Sequence, residues 1–118
     1  MTRLAGLIVL ASLVACSSFG TVEDYRWSIS APPRVARGTK LVFTVKAAGK
    51  DGEAATGLKY HYIVGWPGGE SSIRHVGKTF DEEKIRASAH TGPATLLVFA
   101  QDQSGNTVKV AETTVMVE

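Results

Sequence analysis

From Tyr25 onward, apolar residues alternate with polar residues at a period of two, and turn-forming residues divide this alternation into short runs. The segment YRWSIS places Tyr25, Trp27 and Ile29 on one side of an extended chain, because successive side chains of a strand point to opposite faces. Short alternating runs between clusters of Gly, Pro, Asp and Asn are typical of β-strands joined by turns. The chain is therefore predicted to be all-β.

Four further runs show the same pattern: GTKLVFTVKA, LKYHYIVGW, ATLLVFAQD and TVKVAETTVMVE. Pro32 and Pro33 interrupt it, which predicts a sheet edge or a switch between sheets, since proline cannot donate to a central ladder. IRHVGKTF and KIRASAH are predicted as weaker strands, although DEEKIRASA could also form a short helix. About seven short strands predict an immunoglobulin-like antiparallel β-sandwich. The expected core residues are Trp27, Phe43, Tyr60, Tyr62, Leu96, Val98 and Val115.

The N-terminal segment differs from the rest of the chain. Arg3 precedes an uncharged stretch that ends at Ala15, and small residues surround Cys16. This order is typical of a secretory signal peptide, and the apolar run is shorter than the about 20 residues that a membrane-spanning helix needs. The predicted organisation is a signal peptide at residues 1–15, a tether at residues 16–24 and a folded domain at residues 25–118.

The segment Leu13-Val14-Ala15-Cys16 resembles the lipobox that ends the signal peptides of bacterial lipoproteins. By that resemblance, the Cys16 thiol is expected to carry a diacylglycerol, with cleavage before Cys16 and a further acyl chain on the new amino group. The chain has no other cysteine, so an intramolecular disulfide is impossible. The resemblance implies a lipid-anchored protein of the bacterial cell envelope. Ser17 is similar to the residue at that position in outer-membrane lipoproteins of Gram-negative bacteria.

The last third of the chain resembles the closing hairpin of bacterial immunoglobulin-like and polycystic-kidney-disease-type extracellular modules. Its AQDQSGN turn matches their A-x-D-x-x-G-N pattern through Ala100, Asp102, Gly105 and Asn106. The stretch PPRVARGTKLVFTV is similar to the entry into their second strand. The resemblance implies a β-sandwich and leaves the function open, because such modules serve as adhesive spacers, sugar binders or enzyme appendages.

The strand TLLVFA is apolar on both faces, unlike a strand with one face in water. If alternate residues from Leu96 to Ala100 face the core, Leu97 and Phe99 face outward. A contiguous outer apolar patch indicates a partner, unless a β-bulge reverses the alternation of one strand or the Lys59 and Lys109 side chains cover it. The candidate interface comprises Ile63, Leu97, Phe99, Val108 and Val110.

Composition restricts the partners. The 13 basic residues less Arg3 leave 12, against 11 acidic residues. This near balance, without a basic run or interleaved aromatic residues, argues against nucleic acid. The expected partners are the membrane, through the lipid anchor, and a protein of unknown identity. The expected role is non-catalytic binding, adhesion or accessory assembly.

A carbohydrate-binding module is one alternative, and it would stack sugars on exposed aromatic side chains. The candidates are Trp66, Tyr60 and Trp27. Catalysis is not expected, because no Gly-x-Ser-x-Gly segment is present and the carboxylates of DEEK at 81–84 are typical of a solvated turn or a helix start. No catalytic residue and no cofactor are predicted.

A small metal-binding or periplasmic accessory protein is the second alternative. The histidines that would have to converge are His61, His75 and His90, and their spacing matches no metal motif. Asp102 and Asn106 could offer oxygens to calcium. The plainer interpretation is a hairpin turn that Gly105 and Asn106 close, since both tolerate positive φ, so no metal site is predicted.

Overall fold

The computed structural model describes residues 22, 24–72 and 75–118, with only the backbone described at His75. The predicted signal peptide at 1–15, Cys16 and most of the predicted tether lie outside these ranges. Within them, every regular element is a strand, and no helix is long and apolar enough to cross a membrane. The strands are β1 (Arg26–Ser30), β2 (Arg34–Val35), β3 (Lys40–Ala48), β4 (Lys59–Gly65), β5 (His75–Lys78), β6 (Glu82–Arg86), β7 (Gly92–Gln101) and β8 (Thr107–Val117).

These strands form two sheets. A three-stranded sheet has the order β1-β3-β6, and a five-stranded sheet has the order β2-β8-β7-β4-β5. Neighbouring strands are antiparallel except for β2 and β8, which are parallel. This division of the strands between two facing sheets is the immunoglobulin-like arrangement, so the predicted fold class is confirmed.

The two prolines mark a crossing between the sheets. β1 pairs with β3, whereas β2, which follows Pro32 and Pro33, pairs with β8 in the other sheet. The Met116 backbone N–H donates to the Pro33 carbonyl at 2.9 Å, so the second proline contributes an acceptor rather than a donor. The strand switch predicted from these prolines is confirmed.

The core lies between the sheets and contains the residues that the alternation turns inward. Leu41, Phe43 and Val45 of β3 are all buried. The Phe43 ring meets the Tyr62 ring edge to face, with centroids 5.0 Å apart, a favourable aromatic geometry. Six of the seven predicted core residues are buried, and the seventh, Trp27, is half-buried against the core.

The segment DEEKIRASA forms strand β6 rather than a helix. Ile85 lies opposite Leu41 and packs against the core, while its neighbours Lys84 and Arg86 are exposed. Pairing with β3 runs from Glu82 opposite Thr44 to Arg86 opposite Lys40, and a helix of nine residues would have offered little to compete with it.

Candidate functional site: the outer face of the five-stranded sheet

β7 is the central strand of the five-stranded sheet, and it carries hydrocarbon side chains on both of its faces. Leu96, Val98 and Ala100 are buried in the core, whereas Leu97 and Phe99 point to the outer face and are half-buried there. The side chains of β4 and β8, on either side of β7, partly cover Leu97 and Phe99 on the pleated surface. The outward orientation predicted for Leu97 and Phe99 is therefore what the structure shows.

The neighbouring strands extend this apolar surface. Ile63 of β4 lies directly opposite Leu97, and His61 lies opposite Phe99. On the next strand, Val76 lies opposite His61, and its side chain is 50% exposed. We call Ile63, Val76, Leu97 and Phe99 the outer apolar patch. Val76 was missed from the sequence, although the alternation of IRHVGKTF aligned with β4 would have pointed to it.

Val108 and Val110 do not belong to this patch, and their predicted outward orientation is wrong. The register of β7 and β8 shifts between Val98, which pairs with Ala111, and Phe99, which pairs with Lys109. Val110 is the extra residue of this bulge and packs against the core. A bulge of one residue reverses the alternation beyond it, so Val108 shares the inner face with Ala100.

Charged side chains rim the outer apolar patch on two sides. Lys109 lies opposite Phe99 and Glu112 lies opposite Leu97, and the Lys109 ammonium binds the Glu112 carboxylate at 2.6 Å. On the other side, Lys59 lies opposite Lys78. An apolar centre with a charged rim is the usual anatomy of a protein interface.

A buried polar cluster lies behind this face, on the inner side of the same sheet. The Tyr60 hydroxyl donates to the Glu83 carboxylate at 3.3 Å. Burial, the Glu83 charge and this hydrogen bond together raise the pKa of Tyr60 well above its ordinary value. Burial, followed by the Glu83 charge, raises the pKa of Tyr62 to about 12. The sequence predicts a solvated turn or a helix start at Glu83, and both are wrong because Glu83 lies in strand β6 with its side chain turned inward.

Gly77 makes room for this cluster. A Cβ added at Gly77 would lie 2.5 Å from the Glu83 carboxylate and 2.7 Å from the Tyr60 hydroxyl oxygen. The edge strand β5 therefore approaches the tyrosine closely only because residue 77 lacks a side chain. The cluster supports the sheet from within and does not reach the outer apolar patch.

The histidines do not form a metal site with other described residues. His61 lies on the outer face of β4, and His90 lies beside Gly68 in a separate loop. The His75 backbone lies opposite Tyr62 on β5. No group of three or more His, Cys, Asp or Glu residues that could hold a metal ion occurs in the described ranges.

The turn at 102–106 uses its oxygen atoms to close the hairpin. The Asp102 carboxylate accepts the backbone N–H groups of Ser104 and Asn106, both at 2.9 Å. Gly105 has φ 87°, whereas Asn106 closes the turn without positive φ, since Phe80 is the one described non-glycine residue with positive φ. With the Asp102 oxygen committed to two backbone amides, hairpin closure accounts for the motif.

The aromatic residues considered for sugar binding belong to the core. Tyr60 is fully buried and Trp66 is 7% exposed. The Trp66 indole N–H donates to the Ser72 hydroxyl at 2.6 Å, which fixes the orientation of the ring. Trp27 packs against the core and is half-buried. Tyr60 and Trp66 therefore offer no open ring face for stacking, whereas Trp27 is partly exposed.

No model of a protein family matches the sequence, and no curated protein matches it. Among solved structures, the chain is similar to the CARDB domain of a Pyrococcus furiosus protein, which was solved in complex with di-metal ions. The two sequences are 14% identical, the match covers 83% of this chain and 92% of that chain, and the TM-score is 0.45. The strand order and the register of its own two sheets make this chain an immunoglobulin-like β-sandwich.

Proposed function

We propose that this protein is a lipid-anchored, non-catalytic binding domain of a bacterial cell envelope. Its outer apolar patch binds a protein partner, and the observation that carries the proposal is the position of Leu97 and Phe99. Both lie on the central strand of a sheet, on the face away from the core, with Ile63 beside them. Hydrocarbon on the outward side of a central strand departs from the apolar-in, polar-out alternation of a sheet with one face in water, and contact with another molecule accounts for it.

The anchor follows from the resemblance of Leu13-Val14-Ala15-Cys16 to a lipobox. A single acyl chain gives only marginal membrane binding, because each buried CH₂ contributes about 0.8 kcal/mol. Two or three chains on Cys16 hold the domain at the bilayer throughout its functional lifetime. Ser17 favours the outer membrane if the organism is Gram-negative.

The partner is a protein with a flat apolar surface and acidic groups at its border. The outer apolar patch lies on the face of a sheet, and its four side chains are hydrocarbon, which suits contact with another apolar surface. At its rim, Lys59 and Lys78 lie opposite each other and form no ion pair with another described side chain. Carboxylates of the partner would neutralise these two cations.

The anchor is tested by metabolic labelling with radioactive palmitate in the native or a related bacterium. The full chain should incorporate label, and Cys16→Ser should incorporate none because the acceptor sulfur is gone. A Ser17→Ala variant is the matched control and should be labelled like the unaltered chain. Equal labelling of the Cys16→Ser variant would exclude the anchor.

The patch is tested by photo-crosslinking from Val76→p-benzoylphenylalanine in intact cells. We expect a discrete crosslinked partner that disappears when Leu97→Glu and Phe99→Lys are added. The matched control, Thr107→Lys with Thr114→Glu, places the same charges on exposed positions of β8 on the same face and should keep the crosslink. Circular dichroism confirms that each variant folds. A crosslink that survives in the folded Leu97/Phe99 variant would show that the patch does not bind the partner.

A further inference from the structure

The outer face of the three-stranded sheet gathers basic residues from distant parts of the sequence. Alternation and register turn the side chains outward on all three strands, and each is exposed. Glu82 is the one carboxylate among the outward residues of these strands. We call this surface the basic face, and it comprises Arg26, Lys40, Lys46, Lys84 and Arg86.

The charges of the basic face are not neutralised within the described part of the chain. None of its five residues forms an ion pair with another described side chain, whereas Arg34 binds Glu118 and Lys109 binds Glu112, each at 2.6 Å. Lys40 lies directly opposite Arg86, and like charges at opposed positions destabilise a sheet. Fold stability therefore does not account for this surface.

We infer that the basic face binds the anionic headgroups of a lipid bilayer. Its cations point in one direction from a sheet, and the six residue steps from Lys40 to Lys46 on β3 span about 20 Å. A broad surface of this kind fits a plane of phosphates better than it fits a pocket-sized anion. Each lysine or arginine near such a surface contributes about a fivefold gain in binding.

The bilayer is the anionic surface that the proposed anchor brings nearest, and in this respect the inference rests on the proposed function. Residues 17–25 span at most about 30 Å when extended, and Arg26, the first residue of β1, belongs to the basic face. The tether therefore delivers this sheet to the headgroups at high effective concentration. The outer apolar patch, on the other sheet, then faces away from the bilayer and toward its partner.

An aromatic edge adjoins the basic face. Trp27 and Phe80 line a shallow pocket of about 300 Å³ that Arg26 and Lys46 also border, and the Phe80 side chain is 37% exposed. Aromatic rings beside lysine and arginine are favoured at the boundary between headgroups and acyl chains. This edge gives the basic face an apolar contact in addition to its charges.

The orientation is tested by lysine acetylation of the full chain reconstituted in phosphatidylcholine vesicles, with or without phosphatidylglycerol. In the anionic vesicles, acetylation of Lys40, Lys46 and Lys84 should slow about fivefold or more. The internal reference is Lys59 and Lys78 on the other sheet, whose rates should not change. High salt should abolish the protection, because screening shortens the reach of exposed charges.

Charge reversal supplies the matched variants. K40E with K46E and K84E removes three cations of the basic face, and K59E with K78E and K109E makes the same change in net charge on the other sheet. The Cys16→Ser background has no acyl chains, so its vesicle binding depends on the folded domain. In this background the affinity of the first triple variant for anionic vesicles, measured by sedimentation, should fall at least about a hundredfold. The second should bind within about threefold of its parent, and thermal unfolding confirms that both are folded.

The outcomes separate this inference from the anchor. Retention on neutral vesicles depends on the acyl chains alone. If the chain is retained on anionic vesicles but its lysines are acetylated equally on both sheets, the basic face does not bind headgroups, and the anchor still stands. Protection of Lys59 and Lys78 instead would also overturn the inference. Binding of a DNA duplex at salt concentrations that abolish vesicle binding would assign the basic face to nucleic acid and likewise overturn the inference.

Discussion

The outer faces of the two sheets present opposite chemistry although one core supports both. The basic face of the three-stranded sheet exposes five cations and has Glu82 as its carboxylate. The five-stranded sheet has hydrocarbon at its centre, and two of its rim cations, Arg34 and Lys109, are bound to carboxylates. The inward residues of both sheets are mostly apolar because burial selects them, with Glu83 as an exception, whereas burial leaves the outward residues free to differ between the sheets.

The largest expected effect comes from a substitution in the core, because both outer faces depend on the core that supports the two sheets. Phe43→Ala should lower the free energy of unfolding by about 3–5 kcal/mol, since it deletes a buried ring that contacts Tyr62. Val42→Ala on the same strand, in the middle of the basic face, should change it by less than about 0.5 kcal/mol. Urea unfolding measures both. A loss below about 1 kcal/mol for Phe43→Ala would show that the sheets do not depend on one core.

A second pair of variants compares the inner and outer sides of the five-stranded sheet. Gly77→Ala drives a methyl group into the Tyr60–Glu83 pair and should cost about 1–3 kcal/mol. Gly65→Ala, where an added Cβ meets nothing within 4 Å, should be neutral or stabilise by up to about 1 kcal/mol. Thermal unfolding distinguishes them, and equal effects would mean that the tyrosine cluster is loosely packed.

Alkaline pH tests the tyrosine cluster without a mutation. Unfolded tyrosines ionise near pH 10, whereas the folded pKa of Tyr62 is about 12, so the unfolded state binds fewer protons in this window. The stabilisation is complete below pH 10 and is lost as the pH rises, by up to about 1.4 kcal/mol per pH unit for each raised tyrosine. Glu83→Gln should lower both tyrosine pKa values, as tyrosinate absorbance would show. A flat stability profile up to pH 11 would contradict the burial of these hydroxyls.

The smallest expected effect concerns the paired charges that distinguish the five-stranded sheet. A double-mutant cycle with Lys109→Met and Glu112→Gln should give a coupling of about 0.2–1 kcal/mol, because both side chains are about half-exposed. High salt should reduce the coupling, and the same cycle at Lys40 and Arg86 should give a coupling of the opposite sign. A favourable coupling at Lys40 and Arg86 would remove the electrostatic contrast between the faces.

Much of the fold could be predicted from the sequence because its signals are local. Alternation by itself identifies Leu41, Phe43 and Val45 as buried, and the ring of proline at 32 and 33 rules out a continuous central strand. The half of the outer apolar patch that lies on β7 also follows from alternation. These inferences need only the order of neighbouring residues.

The remainder depends on which strands become neighbours. The bulge at Val110 depends on the pairing of β7 with β8, and the sequence TVKVAETTVMVE alone does not predict its position. The cations of the basic face, at positions 26, 40, 46, 84 and 86, are far apart in a nearly neutral sequence. They come together only because β3 pairs with β1 on one side and with β6 on the other. The inward position of Glu83 could not be predicted for the same reason, because its hydrogen-bond partner, Tyr60, lies on the other sheet.

The crossing at Pro32 and Pro33 also determines how the domain would bear tension. A pull along the N-terminal segment first reaches β1, whose antiparallel bonds to β3 open one after another from Arg26. It next reaches β2, where the Pro33 and Val35 carbonyls hold the amides of Met116 and Glu118, and the Arg37 amide holds the Glu118 carbonyl. These bonds lie side by side across a parallel pair and are loaded simultaneously, so the strand switch divides the domain into a part that yields early and a part that resists shear.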